Sequence, residues 1–92
     1  MYAGIIVNNE ATQVDKLFTY EVPELLEEEI NVGFRVKVPF GFGNKSLDGF
    51  VLELYKVKPD MTNIKKILKL CDRFPILREE DILLIKKISN EF

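Results

Sequence analysis

An alternating stretch that runs into a proline and then two glycines does most to limit the folds open to this chain. In Phe34-Arg35-Val36-Lys37-Val38 every second residue is apolar and the two between are cationic. A period of two puts Phe34, Val36 and Val38 on one face of a strand and Arg35 and Lys37 on the other. Pro39 has no N–H to give to a ladder, so the strand is expected to stop there. Gly41-Phe42-Gly43-Asn44-Lys45 then forms a loop, and Phe50-Val51-Leu52-Glu53-Leu54-Tyr55 supplies a second strand directly after Gly49. The expectation is an antiparallel pair around a loop that exposes backbone, two aromatic rings and a lysine.

The flanking segments extend this pair into a sheet. Tyr2–Val7 is short, apolar and rich in β-branched residues, as a buried strand requires. Asn8–Gln13 is polar and reads as a loop. Leu17–Val22 alternates Leu17, Thr19 and Glu21 against Phe18, Tyr20 and Val22, and Pro23 ends it. Glu24–Ile30 suits a helical turn, Asn31-Val32-Gly33 a reversal and Lys58-Pro59-Asp60 another turn. Ile64, Ile67, Leu68 and Cys71 stand at helical spacing, which favours a helix over Ile64–Asp72, although a segment this short before Phe74-Pro75 is also compatible with a strand. Glu79, Glu80 and Asp81 place negative charge where a helix begins, and Ile82, Leu83, Ile85 and Ile88 give that helix an apolar stripe. The fold expected is α+β: a small, mostly antiparallel β-sheet or partial barrel with a C-terminal helix, one domain over residues 1–92. Phe34, Phe50 and one of Phe18 or Tyr20 are the aromatic residues expected in its core.

Several kinds of chemistry are excluded by what the chain does not contain. It has no histidine and one cysteine, Cys71. That removes the commonest general base, every Ser–His or Cys–His pair, an internal disulfide and a thiolate zinc cluster within this chain. No catalytic and no metal-ligating residues are assigned. Lys45-Ser46 imitates the end of a phosphate loop, but Asn44 stands where the second glycine belongs and a strand follows instead of a helix. Gly41-Phe42-Gly43 fails as a dinucleotide fingerprint because Ser46 holds the third glycine's place. A hairpin connection using Gly and Asn for positive φ is the plainer reading. No apolar run reaches the roughly 18 residues of a membrane span, and the N-terminus lacks the basic and apolar regions of a signal peptide, so a cytoplasmic location is expected.

The net charge of −2 argues against a non-specific nucleic-acid coat. Its distribution is uneven, however. Residues 1–33 hold one base against seven acids, whereas residues 34–76 hold nine bases against four acids. A positive middle on an acidic chain suits a local anion site better than a long groove. Phe18, Tyr20, Phe40 and Phe42 lie near the strand ends, and aromatic faces beside cations are a platform for unpaired bases.

Three stretches, taken in order, resemble a known family: D-K-L-F-T-Y-E-V-P (Asp15–Pro23), V-G-F-R-V-K-V-P-F-G (Val32–Gly41) and D-G-F-V-L-E-L (Asp48–Leu54). The arrangement is similar to the N-terminal domain of the PriA family of bacterial replication-restart helicases, and the similarity continues through Ile64–Leu68 into the C-terminal helix. It implies a domain that binds DNA with a free 3′ end, that of the nascent leading strand at a stalled replication fork. It implies a pocket of Phe18, Thr19, Tyr20, Gly41 and Lys65. Thr19 departs from the aspartate that several members carry between the Phe and the Tyr. The resemblance also implies that Ile64–Cys71 is a strand, against the helical spacing, and that reading is preferred. It implies a parent protein that is an ATP-dependent 3′-to-5′ DNA helicase working with other primosome proteins. ATP and zinc would belong to the remainder of that parent, with no cofactor in this part. The alternative function is a small β-rich protein-interaction module anchored by Phe40 and Phe42.

Overall fold

A computed structural model of the chain describes residues 1–7, 17–41, 43 and 45–89. The strands are β1 (Tyr2–Val7), β2 (Leu17–Glu21), β3 (Arg35–Pro39), β4 (Ser46–Tyr55) and the two-residue β5 (Lys69–Leu70), followed by one helix, α1 (Glu79–Ser89). They form one five-stranded sheet in the order β2-β1-β4-β3-β5, with antiparallel pairs throughout. Asn8–Gln13, Phe42 and Asn44 lie outside the described residues.

The alternation expected for β3 is what the structure has. Val36 and Val38 are fully buried and Phe34 nearly so. Arg35 and Lys37 stay half-exposed on the other face, where each meets an acid: Arg35 Nε to Asp72 Oδ2 at 2.9 Å, Lys37 Nζ to Asp48 Oδ1 at 2.6 Å. Pro39 does not stop β3 short but is its last residue, opposite Ser46, a position where a missing N–H costs little. The partner strand is longer than expected. β4 starts at Ser46 and takes in Gly49, which is buried against β1: a Cβ there would lie 2.5 Å from Ile5 Cγ2. Because Gly49 and Val51 face inward, Phe50 faces outward and is only half-buried, contrary to its expected place in the core.

The core is assembled from the inward faces of all the long strands: Ala3 and Ile5 from β1, Tyr20 and Val22 from β2 and just beyond it, Val36 and Val38 from β3, Val51 from β4. Full burial of an aliphatic side chain such as Ile5 or Val36 is worth about 1.5–3 kcal/mol. The register of β1 on β4 slips once, between Gly4 (opposite Glu53) and Ile5 (opposite Val51), so that Leu52 is the bulged residue.

Residues 64–71 are extended, which overturns the helical spacing and agrees with the strand that the resemblance implies, although only Lys69–Leu70 forms a regular strand. The segment is bonded to two different strands. Glu21 N–H donates to Lys65 O at 2.9 Å and Ile67 N–H to Glu21 O at 3.0 Å on β2, through a single parallel bridge. Leu68 N–H donates to Lys37 O at 2.8 Å and Cys71 N–H to Arg35 O at 2.9 Å on β3. One bridge to β2 leaves the architecture an open five-stranded sheet with a strap across its end. Ile67 pins the strap by burying its side chain in the core.

Beyond the strap the chain returns to the sheet at Gly33. Gly33 has φ +91° and its carbonyl accepts from Ile76 N–H (2.8 Å) and Leu77 N–H (3.1 Å). A Cβ there would sit 2.6 Å from Leu77 O, so glycine is needed both for its conformation and for the close approach. This contact sets the start of α1, where Arg78 N–H donates to Asp81 Oδ2 at 3.1 Å and three acids occupy the first turn. The expected apolar stripe is only partly used: Ile82 is buried and Ile85 half-buried, whereas Leu83 is exposed. The 3-10 turn Glu24–Leu26 fills the place of the expected helical turn.

Candidate nucleic-acid interface

Three stretches far apart in sequence meet at one end of the sheet. β2 contributes Leu17–Tyr20, the end of β3 contributes Pro39–Gly41, and the approach to the strap contributes Met61, Asn63 and Lys65. Together they wall an open cavity of about 560 Å³. All five sequence-derived residues, Phe18, Thr19, Tyr20, Gly41 and Lys65, line it. Sequence reasoning missed Leu17, Pro39, Met61 and Asn63 as walls, and took Phe40 as an exposed anchor. The available signal for Asn63 was chemical: it holds φ +59°, a conformation that asparagine tolerates better than most residues, in a turn-rich run.

The walls are fixed by direct bonds between the three stretches. The Tyr20 hydroxyl donates to Pro39 O at 2.9 Å, tying β2 to the end of β3 behind the cavity. Tyr20 is therefore a buried wall more than a free stacking surface, and burial pushes its hydroxyl pKa up from the ordinary value. Phe18 is the exposed ring. It meets Phe40 edge to face, with centroids 5.2 Å apart and an interplanar angle of 87°. That geometry is favourable for aromatic pairs and holds Phe18 in place while leaving it 37% exposed. Phe40 is thus half-buried against Phe18 instead of free, and its companion Phe42 lies outside the described residues.

The Thr19 hydroxyl accepts a 3.3 Å hydrogen bond from Tyr55, whose ring is stacked on Tyr2. Its own proton remains available to donate. Gly41 has φ +75°, and a Cβ there would meet nothing within 4 Å. Its glycine identity is required by the backbone angle, and a side chain would project into open space. Lys65 reaches across the cavity so that Nζ donates to Gly41 O at 3.1 Å. Two more N–H donors of that ammonium remain, and Lys65 has no ion-pair partner among the described residues. Its neighbour Lys66 points elsewhere, with Nζ 3.6 Å from Glu21 Oε2. The extended strap thus sends one cation into the cavity and the next to a carboxylate.

An apolar ring face, a shaped glycine backbone and the Lys65 ammonium in an open cavity suit a small, flat, anionic ligand. The fold and cavity define a small open β-sheet domain with a ligand-sized cavity at one end. A family model described as the 3′ DNA-binding domain of PriA matches residues 4–92. The chain belongs to that family and is a DNA-binding domain. A curated relative, the replication restart protein PriA of Bacillus subtilis, is 33% identical over 92 residues, covering 98% of this chain and 11% of the relative. The chain therefore spans about a tenth of the length of that relative. No solved structure matches the chain. No helix among the described residues is long and apolar enough to cross a membrane.

Proposed function

We propose that the cavity seats the terminal nucleotide of a DNA strand that ends in a free 3′-hydroxyl. The observation that carries this reading is convergence. Residues from positions 18–20, 41 and 65, assigned by resemblance alone, face a single cavity. Phe18 covers the base or sugar, Thr19 donates from its hydroxyl, the Gly41 backbone lets the chain end come close, and Lys65 meets the adjacent phosphate. Tyr20 keeps the wall in place through Pro39. A chain end fits this site better than a duplex, because among the described residues of the cavity Lys65 alone brings an ammonium with no ion-pair partner, and one cation neutralises few phosphates.

In the cell the end so held is that of the nascent leading strand at a stalled fork. The domain acts as the DNA-sensing part of a larger cytoplasmic replication-restart protein with ATP-dependent 3′-to-5′ helicase activity. ATP, zinc and the contacts to other primosome proteins belong to that protein's other regions. A matched pair of oligonucleotides tests the reading, one ending in a 3′-hydroxyl and one in a 3′-phosphate. The phosphorylated end should bind more weakly by about 1–3 kcal/mol, the cost of leaving a desolvated polar partner unmatched. Equal affinities by fluorescence anisotropy would refute terminus recognition.

A further inference from the structure

A second cavity, of about 310 Å³, lies directly beside the first. It is walled by Tyr2, Glu21, Lys58 and the run Met61–Ile64, and it shares Met61 and Asn63 with the terminus cavity. The shared ridge is held by the left-handed backbone of Asn63. The two cavities repeat one chemical pattern. In the first, an aromatic ring (Phe18) stands with a lysine (Lys65); in the second, Tyr2 stands with Lys58. The Tyr2 ring is fixed by stacking on Tyr55, with centroids 6.2 Å apart and 25° between planes. Lys58 is exposed and has no ion-pair partner among the described residues. Among the described residues the one acid that lines the second cavity is Glu21, and it is 3.6 Å from Lys66, which offsets its charge.

We infer that this second cavity is a subsite for the penultimate nucleotide of the same DNA strand. The inference rests on the terminus reading and extends it. The terminal nucleotide occupies the first cavity, the backbone crosses the ridge at Met61 and Asn63, and the next base packs on Tyr2 with its phosphate at Lys58. An aromatic face fixed from behind costs little ordering when a base stacks on it, and such stacking is tolerant of base identity. The domain thus reads two nucleotides, the end and its neighbour, and nothing further along the strand.

Titrations with thymidine nucleotides of increasing length, all with a 5′-phosphate and a 3′-hydroxyl, test this. The dinucleotide should bind about tenfold more tightly than the mononucleotide, and a trinucleotide should add about twofold or less. Tyr2→Ala and Lys58→Ala should bring the dinucleotide down to mononucleotide affinity while leaving the mononucleotide unchanged. Tyr2→Phe should keep the full gain, since only the ring is required. Lys58→Glu, at an exposed position that leaves the core untouched, should weaken the dinucleotide further than Lys58→Ala. Folded Tyr2→Ala and Lys58→Glu variants with wild-type dinucleotide affinity would overturn the second subsite. So would a third nucleotide that gains as much as the second. The two readings fail separately. If the 3′-phosphate penalty stands and these variants do nothing, only the second subsite is wrong. If that penalty is absent, the terminus reading falls and the subsite with it.

Discussion

Replacing Lys65 and, separately, Lys66 by alanine tests whether the strap delivers one cation or a diffuse positive face. The structure makes the two neighbours unequal: Lys65 Nζ is 3.1 Å from Gly41 O inside the cavity, and Lys66 Nζ is 3.6 Å from Glu21 Oε2 outside it. If Lys65 meets one phosphate of a single strand, its loss should reduce the slope of log K against log salt by about 0.7. Over a fourfold rise in salt that is a change of about 2.5-fold in affinity, well within reach of anisotropy titrations. At fixed moderate salt the loss should be about 1 kcal/mol, roughly fivefold, because Lys65 is exposed and water screens the contact. Lys66→Ala removes a charge already offset by Glu21, so its slope should stay at the wild-type value. Lys65→Gln separates charge from positioning. Glutamine can still donate to the Gly41 carbonyl; if Lys65 only orients the loop, Gln restores both affinity and slope. With a phosphate contact, Gln behaves as Ala does. Equal losses with equal slopes for Lys65→Ala and Lys66→Ala would refute the one-cation reasoning, and so would an unchanged slope for Lys65→Ala.

Two further expectations follow from particular angles and charges. Gly41 and Gly43 both hold positive φ, +75° and +79°, with nothing within 4 Å of a built Cβ, but only Gly41 lines the cavity. Alanine should cost each about 1–2 kcal/mol of local strain, seen as similar falls in thermal midpoint, whereas only Gly41→Ala should also weaken DNA binding. Equal binding by the two variants would make Gly41 a turn residue and nothing more. As for pH, the Lys37 ammonium donating toward Asp48 holds that carboxyl below its ordinary 3.8, so the pair's contribution is present above that value and lost as pH falls through the lowered one. Lys37 and Tyr20 are raised above 10.5 and 10.0, by the bond to Asp48 and by burial respectively, so their contributions are present below those values and lost as pH rises through the raised ones. Urea midpoints across pH should therefore fall at both extremes, and Asp48→Asn should flatten the acid limb; an acid limb unchanged in that variant would refute the assignment.

β3 was legible in the sequence because one of its faces is wholly buried, and burial of one face is what period-two alternation records. The strap was not. It bonds first to β2 and then to β3, so its side chains never face one surface for more than a residue or two, and only Ile67 is buried. The accidental spacing of Ile64, Ile67, Leu68 and Cys71 then imitates a helix. Resemblance corrected this where periodicity could not. Phe50 was misplaced because its neighbour Gly49, with no side chain to signal burial, is the residue that faces inward. The cavity shows the same division. Phe18, Thr19, Tyr20, Gly41 and Lys65 were reached through motifs, and they are distant in sequence. Pro39 joins the wall as the last residue of β3 and Met61 and Asn63 through a turn, so that none of the three is marked as a wall by a pattern of apolar spacing.

The strap has one more consequence, for how the sheet behaves in company. An open sheet presents two rows of unpaired backbone groups, along β2 and β3, each a template on which another chain could add a strand. Lys65–Ile67 occupies part of the first row and Leu68–Cys71 part of the second. A single short segment thus caps both ends, and the same segment delivers Lys65 to the cavity. Occupation of both edges and delivery of Lys65 to the cavity are one folding event in this domain, and a molecule whose strap has come away loses both together.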